Sequence, residues 1–169
     1  MSRGFVKEDD QEEVPMVPQR AYLPEGVINF VTAFGMSQLL AERQMLENEK
    51  HNLKNANENE KRIELNYINA KLQLLNNRIA ETQIFNSNEQ PQNEIIFGAT
   101  ITLKTDASGN IQTFQIVGVD EADISKGKVS FISPLARVLI NKKTGDKVIL
   151  KQAGKDIVFE IIGISYSQD

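Results

Sequence analysis

The chain has 169 residues, with 19 Lys and Arg against 23 Asp and Glu, a formal net charge of −4, and no cysteine. Disulfides, thiolate metal sites and cysteine catalysis are therefore excluded, and a 40% apolar share beside 25% charged residues argues against wholesale disorder. No stretch approaches the roughly 20 apolar residues a membrane span needs, and no apolar leader follows Met1, so a cytoplasmic protein without a secretory signal is expected.

The charge is unevenly spread. Residues 1–36 carry three basic and six acidic side chains, residues 37–85 seven of each, and residues 86–169 nine basic and ten acidic. A protein that grips nucleic acid by its backbone normally presents a basic face to the phosphates. None is visible at the level of segments, so a protein partner is expected.

Residues 1–26 contain the run Glu8-Asp9-Asp10-Gln11-Glu12-Glu13, followed by Pro15, Pro18 and Pro24. Clustered charge and repeated proline predict an extended, mobile, acidic tail, because neither supplies the apolar surface that ordering requires. The islands Phe5-Val6 and Ala21-Tyr22-Leu23 leave open a second reading, a docking peptide for a groove.

Residues 27–85 read as a helical hairpin. Leu39, Leu46 and Leu53 recur every seven residues after Met36, while Leu65, Leu72 and Ile79 alternate with Ile68, Leu75 and Thr82. This is an a/d seam. Between the two runs, Asn55-Ala56-Asn57-Glu58-Asn59-Glu60 lacks a seam residue and is rich in asparagine, which tolerates turn conformations. Two antiparallel helices folded at that point would bury one stripe on the other. At 1.5 Å per residue, arms of about 20 residues make a finger roughly 30 Å long. Arg43 and Lys50 fall on seam positions, where they can pack their stems and keep their charges in water. An intramolecular hairpin predicts a monomer; a seam shared between chains would instead make a coiled-coil adaptor.

Residues 86–93, with Gln90-Pro91-Gln92, read as a linker. Residues 94–169 then alternate in strand fashion. Ala99, Ile101 and Leu103 face one way and Thr100 and Thr102 the other, and Asp106-Ala107-Ser108-Gly109-Asn110 turns the chain into a strand from Ile111 to Val117. Val129 to Ile132, Val148 to Leu150 and Ile157 to Ile164 supply further strands, the last two joined through Ala153-Gly154-Lys155. Ser133 is a suitable N-cap and Pro134 suits the first helical position, so a short helix is predicted from Pro134 to Ile140. The fold class is α+β: an antiparallel helical hairpin followed by a small antiparallel sheet domain with one short helix.

The order Ile116-Val117-Gly118, Asp120-Glu121-Ala122-Asp123, then Ser130 through Ser133-Pro134, Ala136 and Leu139, then Gly145-Asp146, resembles the C-terminal domain of the Gre family of bacterial transcription elongation factors. The likeness runs from about Ile96-Phe97-Gly98-Ala99 to Tyr166. Thr32 and Gly35, ahead of the first helix, also resemble the family's hydrophobic-T-x-x-G lead-in. The resemblance implies an FKBP-like sheet domain that docks on the rim of the secondary channel of bacterial RNA polymerase. It also implies a coiled coil that enters the channel, with tip carboxylates that help hold a catalytic magnesium ion and water for cleavage of backtracked RNA. Nucleic acid would be reached only through the elongation complex. Oxygen ligands suit magnesium, and a metal stabilises in-line phosphoryl displacement. The factor would be no enzyme itself, would need no cofactor and would hold no metal stably.

The tip departs from the family pattern. The expected acidic positions fall on the amides Asn52 and Asn55, leaving Glu58 and Glu60 as the candidate tip carboxylates. These two are equally what a helix N-terminus attracts through its dipole. Asp120, Glu121, Asp123, Ser133, Pro134 and Arg137 are the polymerase-contact candidates; for each, a turn, cap or packing role is the plain alternative. His51 stands alone and reads as a solvated helix residue. No phosphate loop, nucleophile elbow or catalytic triad is present. A prolyl isomerase activity is disfavoured because no tryptophan is available to line an aromatic pocket. The expected function is a transcription elongation factor acting on paused or backtracked complexes, with a channel-occupying regulator that does not promote cleavage as the alternative.

Overall fold

In the computed structural model, residues 14–54 and 57–167 are described. They begin with a short strand β1 (Asn29–Val31), helix α1 (Ala33–His51), helix α2 (Glu58–Ala80) and a second short strand β2 (Thr82–Ile84). The rest forms the sheet domain: β3 (Thr100–Thr105), β4 (Ile111–Val117), β5 (Lys128–Ser130), helix α3 (Pro134–Leu139), β6 (Lys147–Gln152) and β7 (Lys155–Ser165).

The hairpin forms where the seam places it. Leu39 and Leu46 of α1 bury against Ile68, Leu72 and Leu75 of α2, with Met36, Leu53 and Ile79 packed alongside. Leu75 is fully buried. Arg43 is half-buried and Lys50 exposed, in line with seam residues that keep their charges wet. Each helix is closed by a local polar group. Thr32 caps α1 by accepting from the Gly35 N–H, and the Asn57 side chain caps α2 by accepting from Asn59 and Glu60.

The seam reading fails at Thr82. Helix α2 stops at Ala80, and residues 82–84 are strand, paired in parallel with β1 through Asn29↔Thr82, Phe30↔Gln83 and Val31↔Ile84. Thr82 Oγ1 turns back to the Ile79 carbonyl at 2.7 Å, a local bond that competes with further helix. The ribbon closes the open end of the hairpin. Part of the expected linker is ordered too, as a 3-10 turn at Ser87–Glu89.

Among the described residues the sheet has the order β5-β4-β3-β7-β6. It is antiparallel except for β4 and β5, which run parallel in the register Gln115↔Lys128, Ile116↔Val129 and Val117↔Ser130. The antiparallel sheet expected from sequence is corrected at this one pair: residues 118–127 form a crossover, so β5 returns in the direction of β4. Ala99, Ile101, Leu103, Ile116 and Ile161 are fully buried on the inner face, and α3 covers them with Ala136 and Leu139.

The hairpin and the sheet domain meet at an aromatic joint. Phe30 of β1 and Phe85, just past β2, pack on Phe97, and Phe30 and Phe97 both reach Phe131, with ring centroids 5.5 to 6.3 Å apart. Tilted and edge-on geometry at this spacing is favourable beyond simple burial. Gly118 makes the approach possible, since a Cβ there would lie 2.6 Å from the Phe30 carbonyl oxygen.

Residues 1–13 of the acidic leader lie outside the described residues. From 14 onward the chain has no regular secondary structure up to the turn at 25–26, as its prolines suggest, but it makes side-chain contacts with the rest of the protein. Arg20 forms ion pairs with Glu42 and Asp120, and Arg78 donates to the Ala21 carbonyl. Arg20 thus meets partners far away in sequence, the half-exposed Glu42 and the buried Asp120, which the local composition of the leader does not announce.

Candidate functional site

Besides the start and last turn of α3, two places carry the polar side chains singled out in the sequence. One is the crossover after β4, against the foot of the hairpin; the other is the hairpin tip.

The crossover contains Asp120 and Glu121, and both are turned inward. The Glu121 side chain is 3% exposed. Its Oε1 accepts from Lys128 Nζ at 2.9 Å, and its Oε2 accepts from the Thr32 hydroxyl at 2.5 Å. Gly35 is part of the same arrangement, because a Cβ at that position would sit 2.7 Å from Glu121 Oε2. Lys128 also stands 4.3 Å from the centroid of the Phe34 ring, so its charge is shared between a carboxylate and an aromatic face.

Asp120, with its side chain 8% exposed, lies between two guanidinium groups. Arg20 Nε donates to Oδ1 at 3.2 Å. Arg78 Nε is 3.4 Å from Oδ2, a charge contact without hydrogen-bond alignment, so Oδ2 is otherwise unsatisfied. The two terminal nitrogens of Arg20 grip the Glu42 carboxylate at 2.8 and 3.1 Å. This bidentate hydrogen bonding to Glu42, aided by the Glu42 and Asp120 charges, holds the Arg20 guanidinium still more firmly protonated than usual, against the opposing effect of burial.

Three cations (Arg20, Arg78, Lys128) thus meet three anions (Glu42, Asp120, Glu121). The loop that is acidic in sequence contributes no net negative charge at this place in the fold. Asp120 and Glu121, two of the expected polymerase contacts, are engaged inside the molecule and hold the hairpin to the sheet domain.

Of the remaining contact candidates, Asp123, Pro134 and Arg137 face outward and Ser133 is half-buried. Asp123 caps the 3-10 turn Ile124–Lys126, and the Ser125 hydroxyl and N–H both donate to its carboxylate. The Ser125 hydroxyl bond, with Lys126 nearby, holds its pKa below the usual carboxylate value. Ile124 beside it is 73% exposed. Ser133 caps α3 by accepting from the Ala136 N–H at 3.2 Å, Pro134 opens that helix, and Arg137 in its last turn is exposed with Pro134.

At the tip, Glu58 and Glu60 occupy the first turn of α2 and are exposed. Two residues apart on a helix, they project roughly 200° from each other around its axis and do not converge on one point. Asn52 is the C-cap of α1, its N–H bonded to the Asn48 and Glu49 carbonyls. Asn55 lies outside the described residues. Among the described residues no three His, Cys, Asp or Glu side chains form a group that could hold a metal ion, and no helix is long and apolar enough to cross a membrane.

Sequence reasoning missed Arg20, Glu42, Arg78 and Lys128 as partners of the crossover. Thr32 and Gly35 did carry a local signal, the T-x-x-G spacing, which the structure explains as a cap and a gap shaped for Glu121.

The family model described as "Transcription elongation factor, GreA/GreB, C-term" matches residues 90–166. The transcription elongation factor GreA of Alkalilimnicola ehrlichii is 37% identical over 114 residues, 67% of this chain and 72% of the relative. That of Thioalkalivibrio sulfidiphilus is 48% identical over 73 residues, 43% of this chain and 46% of the relative. That of Legionella pneumophila (strain Corby) is 36% identical over 113 residues, 66% and 71% of the two chains. Among solved structures, the prokaryotic transcription elongation factor GreA/GreB from Nitrosomonas europaea is 14% identical and covers 83% of this chain and 99% of its own, with a TM-score of 0.42.

Proposed function

The chain belongs to the GreA/GreB family of transcription elongation factors, and on that premise we propose that it acts on RNA polymerase in paused or backtracked complexes. The sheet domain docks at the rim of the secondary channel and the α1–α2 hairpin projects into it. The observation that carries this reading is the family match over residues 90–166, which takes in the whole sheet. The outward-facing Asp123, Pro134 and Arg137 remain the contact candidates on that domain, with Ser133 setting the start of α3.

Cleavage stimulation would fall to Glu58 and Glu60, the exposed acids of the α2 first turn. A helix N-terminus draws carboxylates for its own reasons, but these two are also free to meet a magnesium ion held by the polymerase. A second reading is favoured by their geometry. Side chains at i and i+2 do not face one another, and residues 52 and 55 are amides, so the finger would occupy the channel without promoting cleavage.

The deciding experiment is transcript cleavage in a backtracked elongation complex of the cognate polymerase, with wild-type protein beside Glu58→Ala/Glu60→Ala. Shortened RNA with the wild type, lost in the double variant, supports the cleavage reading. Binding without cleavage supports the channel-occupying one. Absence of binding sinks the polymerase reading.

A further inference from the structure

The foot of the hairpin is joined to the sheet domain around β1 and β2, by the aromatic joint and by the Thr32–Glu121 bond. The Arg78–Asp120 contact lies close by, two residues before the end of α2. These attachments sit at one end of a long rod, and a rod held at one end can swing. A second attachment lies further out. Arg20 grips Glu42, ten residues beyond Thr32 and therefore about 15 Å along the helix axis, while its Nε holds Asp120 on the sheet domain.

We propose that Arg20 is a positioning residue: by bridging Glu42 of α1 to Asp120 of the sheet domain, the leader clasps the finger at a fixed angle and so sets where its tip reaches. Two pins at different distances along one rod remove the swing that a single pin allows. The bridge suits this task. The guanidinium meets a carboxylate bidentately on one side, a geometry that lysine cannot reproduce. Its other partner, Asp120, is nearly fully buried and therefore held in place by its surroundings. The leader is further seated by the Arg78 bond to the Ala21 carbonyl, so Arg20 is presented from an anchored backbone.

The consequence for polymerase rests on the function proposed above, whereas the clasp itself can be measured without polymerase. The chain has no cysteine, so Lys61→Cys near the tip and Lys151→Cys on β6 give a clean pair of exposed spin-label sites. Pulsed electron resonance should return one narrow distance distribution for this background. Arg20→Gln should broaden it about twofold, as a restrained angle becomes a population of angles. Glu42→Gln, on the open face of a helix whose seam is untouched, should broaden it alike, and Arg20→Lys should recover part of the narrowing. Unchanged widths in both glutamine variants would overturn the clasp.

In the elongation complex, Arg20→Gln should keep its affinity for polymerase while losing about tenfold of whatever effect the wild-type finger exerts, as misplacement of a reaching group does. Broadening with no loss of that effect would overturn the positioning role. A wild-type chain that never binds polymerase would overturn the function instead, and the distance distributions would still decide the clasp.

Discussion

The Thr32 hydroxyl donates to Glu121 Oε2 at 2.5 Å across 89 positions of sequence, while its oxygen accepts from the Gly35 N–H at 2.9 Å. One side chain starts α1 and ties it to the sheet domain. Thr32→Val keeps the shape and removes both bonds, so it should lower the unfolding free energy by about 2–4 kcal/mol, the sum of a lost cap and a lost bond to a buried carboxylate. Thr32→Ser should retain most of the stability. Urea denaturation of the three proteins is the check.

Gly35 is the steric counterpart of that bond. A Cβ there would meet Glu121 Oε2 at 2.7 Å, so Gly35→Ala should destabilise by about 1–3 kcal/mol, as overpacking does, even though alanine is the better helix former. Pairing it with Glu121→Asp, which withdraws the carboxylate, should cost less than the two single changes added together. A double-mutant cycle reads that coupling directly.

The crossover acids should separate from the outward-facing candidates by what they disturb. Asp120→Ala leaves two guanidinium groups facing each other, and with Arg20 21% exposed part of that charge can reach water. A loss of about 2–4 kcal/mol is expected, at or below the range for breaking a buried pair. Asp123→Ala and Arg137→Ala touch exposed groups and should leave the melting temperature within a few degrees, while each weakens polymerase binding. Calorimetry beside a binding titration distinguishes the two classes; a weakened complex with Asp120→Ala alone would return the contact role to the crossover.

Tyr166 ties the end of the sheet domain to its beginning. Its hydroxyl donates to the Glu94 carbonyl and accepts from the Ile96 N–H at 3.0 Å. Burial pushes its pKa above the usual 10.0. A folded-state pKa above the unfolded one means that its contribution to stability is fully present below pH 10 and is lost as pH rises through the higher folded value. Thermal stability should therefore fall in that alkaline window. Tyr166→Phe should cost about 1–2 kcal/mol at neutral pH and remove that part of the alkaline decline. Melting curves across the range test both.

The hairpin was legible because its information is local and repeated. Leu39, Leu46 and Leu53 announce a stripe whatever they pack against, and Ala99, Ile101 and Leu103 alternate as a half-buried strand must. The α3 start was legible for the same reason, since a cap is decided by Ser133 and its next three residues. Strands β1 and β2 were not: three residues each, they carry no period, and their pairing bridges the whole hairpin.

Sequence by itself determined the α+β class, the finger, and a family resemblance that the comparisons bear out. Tertiary structure alone decided the fate of Asp120 and Glu121. An acidic loop looks like surface until its partners are known, and those partners stand at positions 20, 32, 78 and 128. Burying a carboxylate is unfavourable unless a cation or donor meets it, and whether one does depends on how distant segments are brought together, which no local pattern encodes.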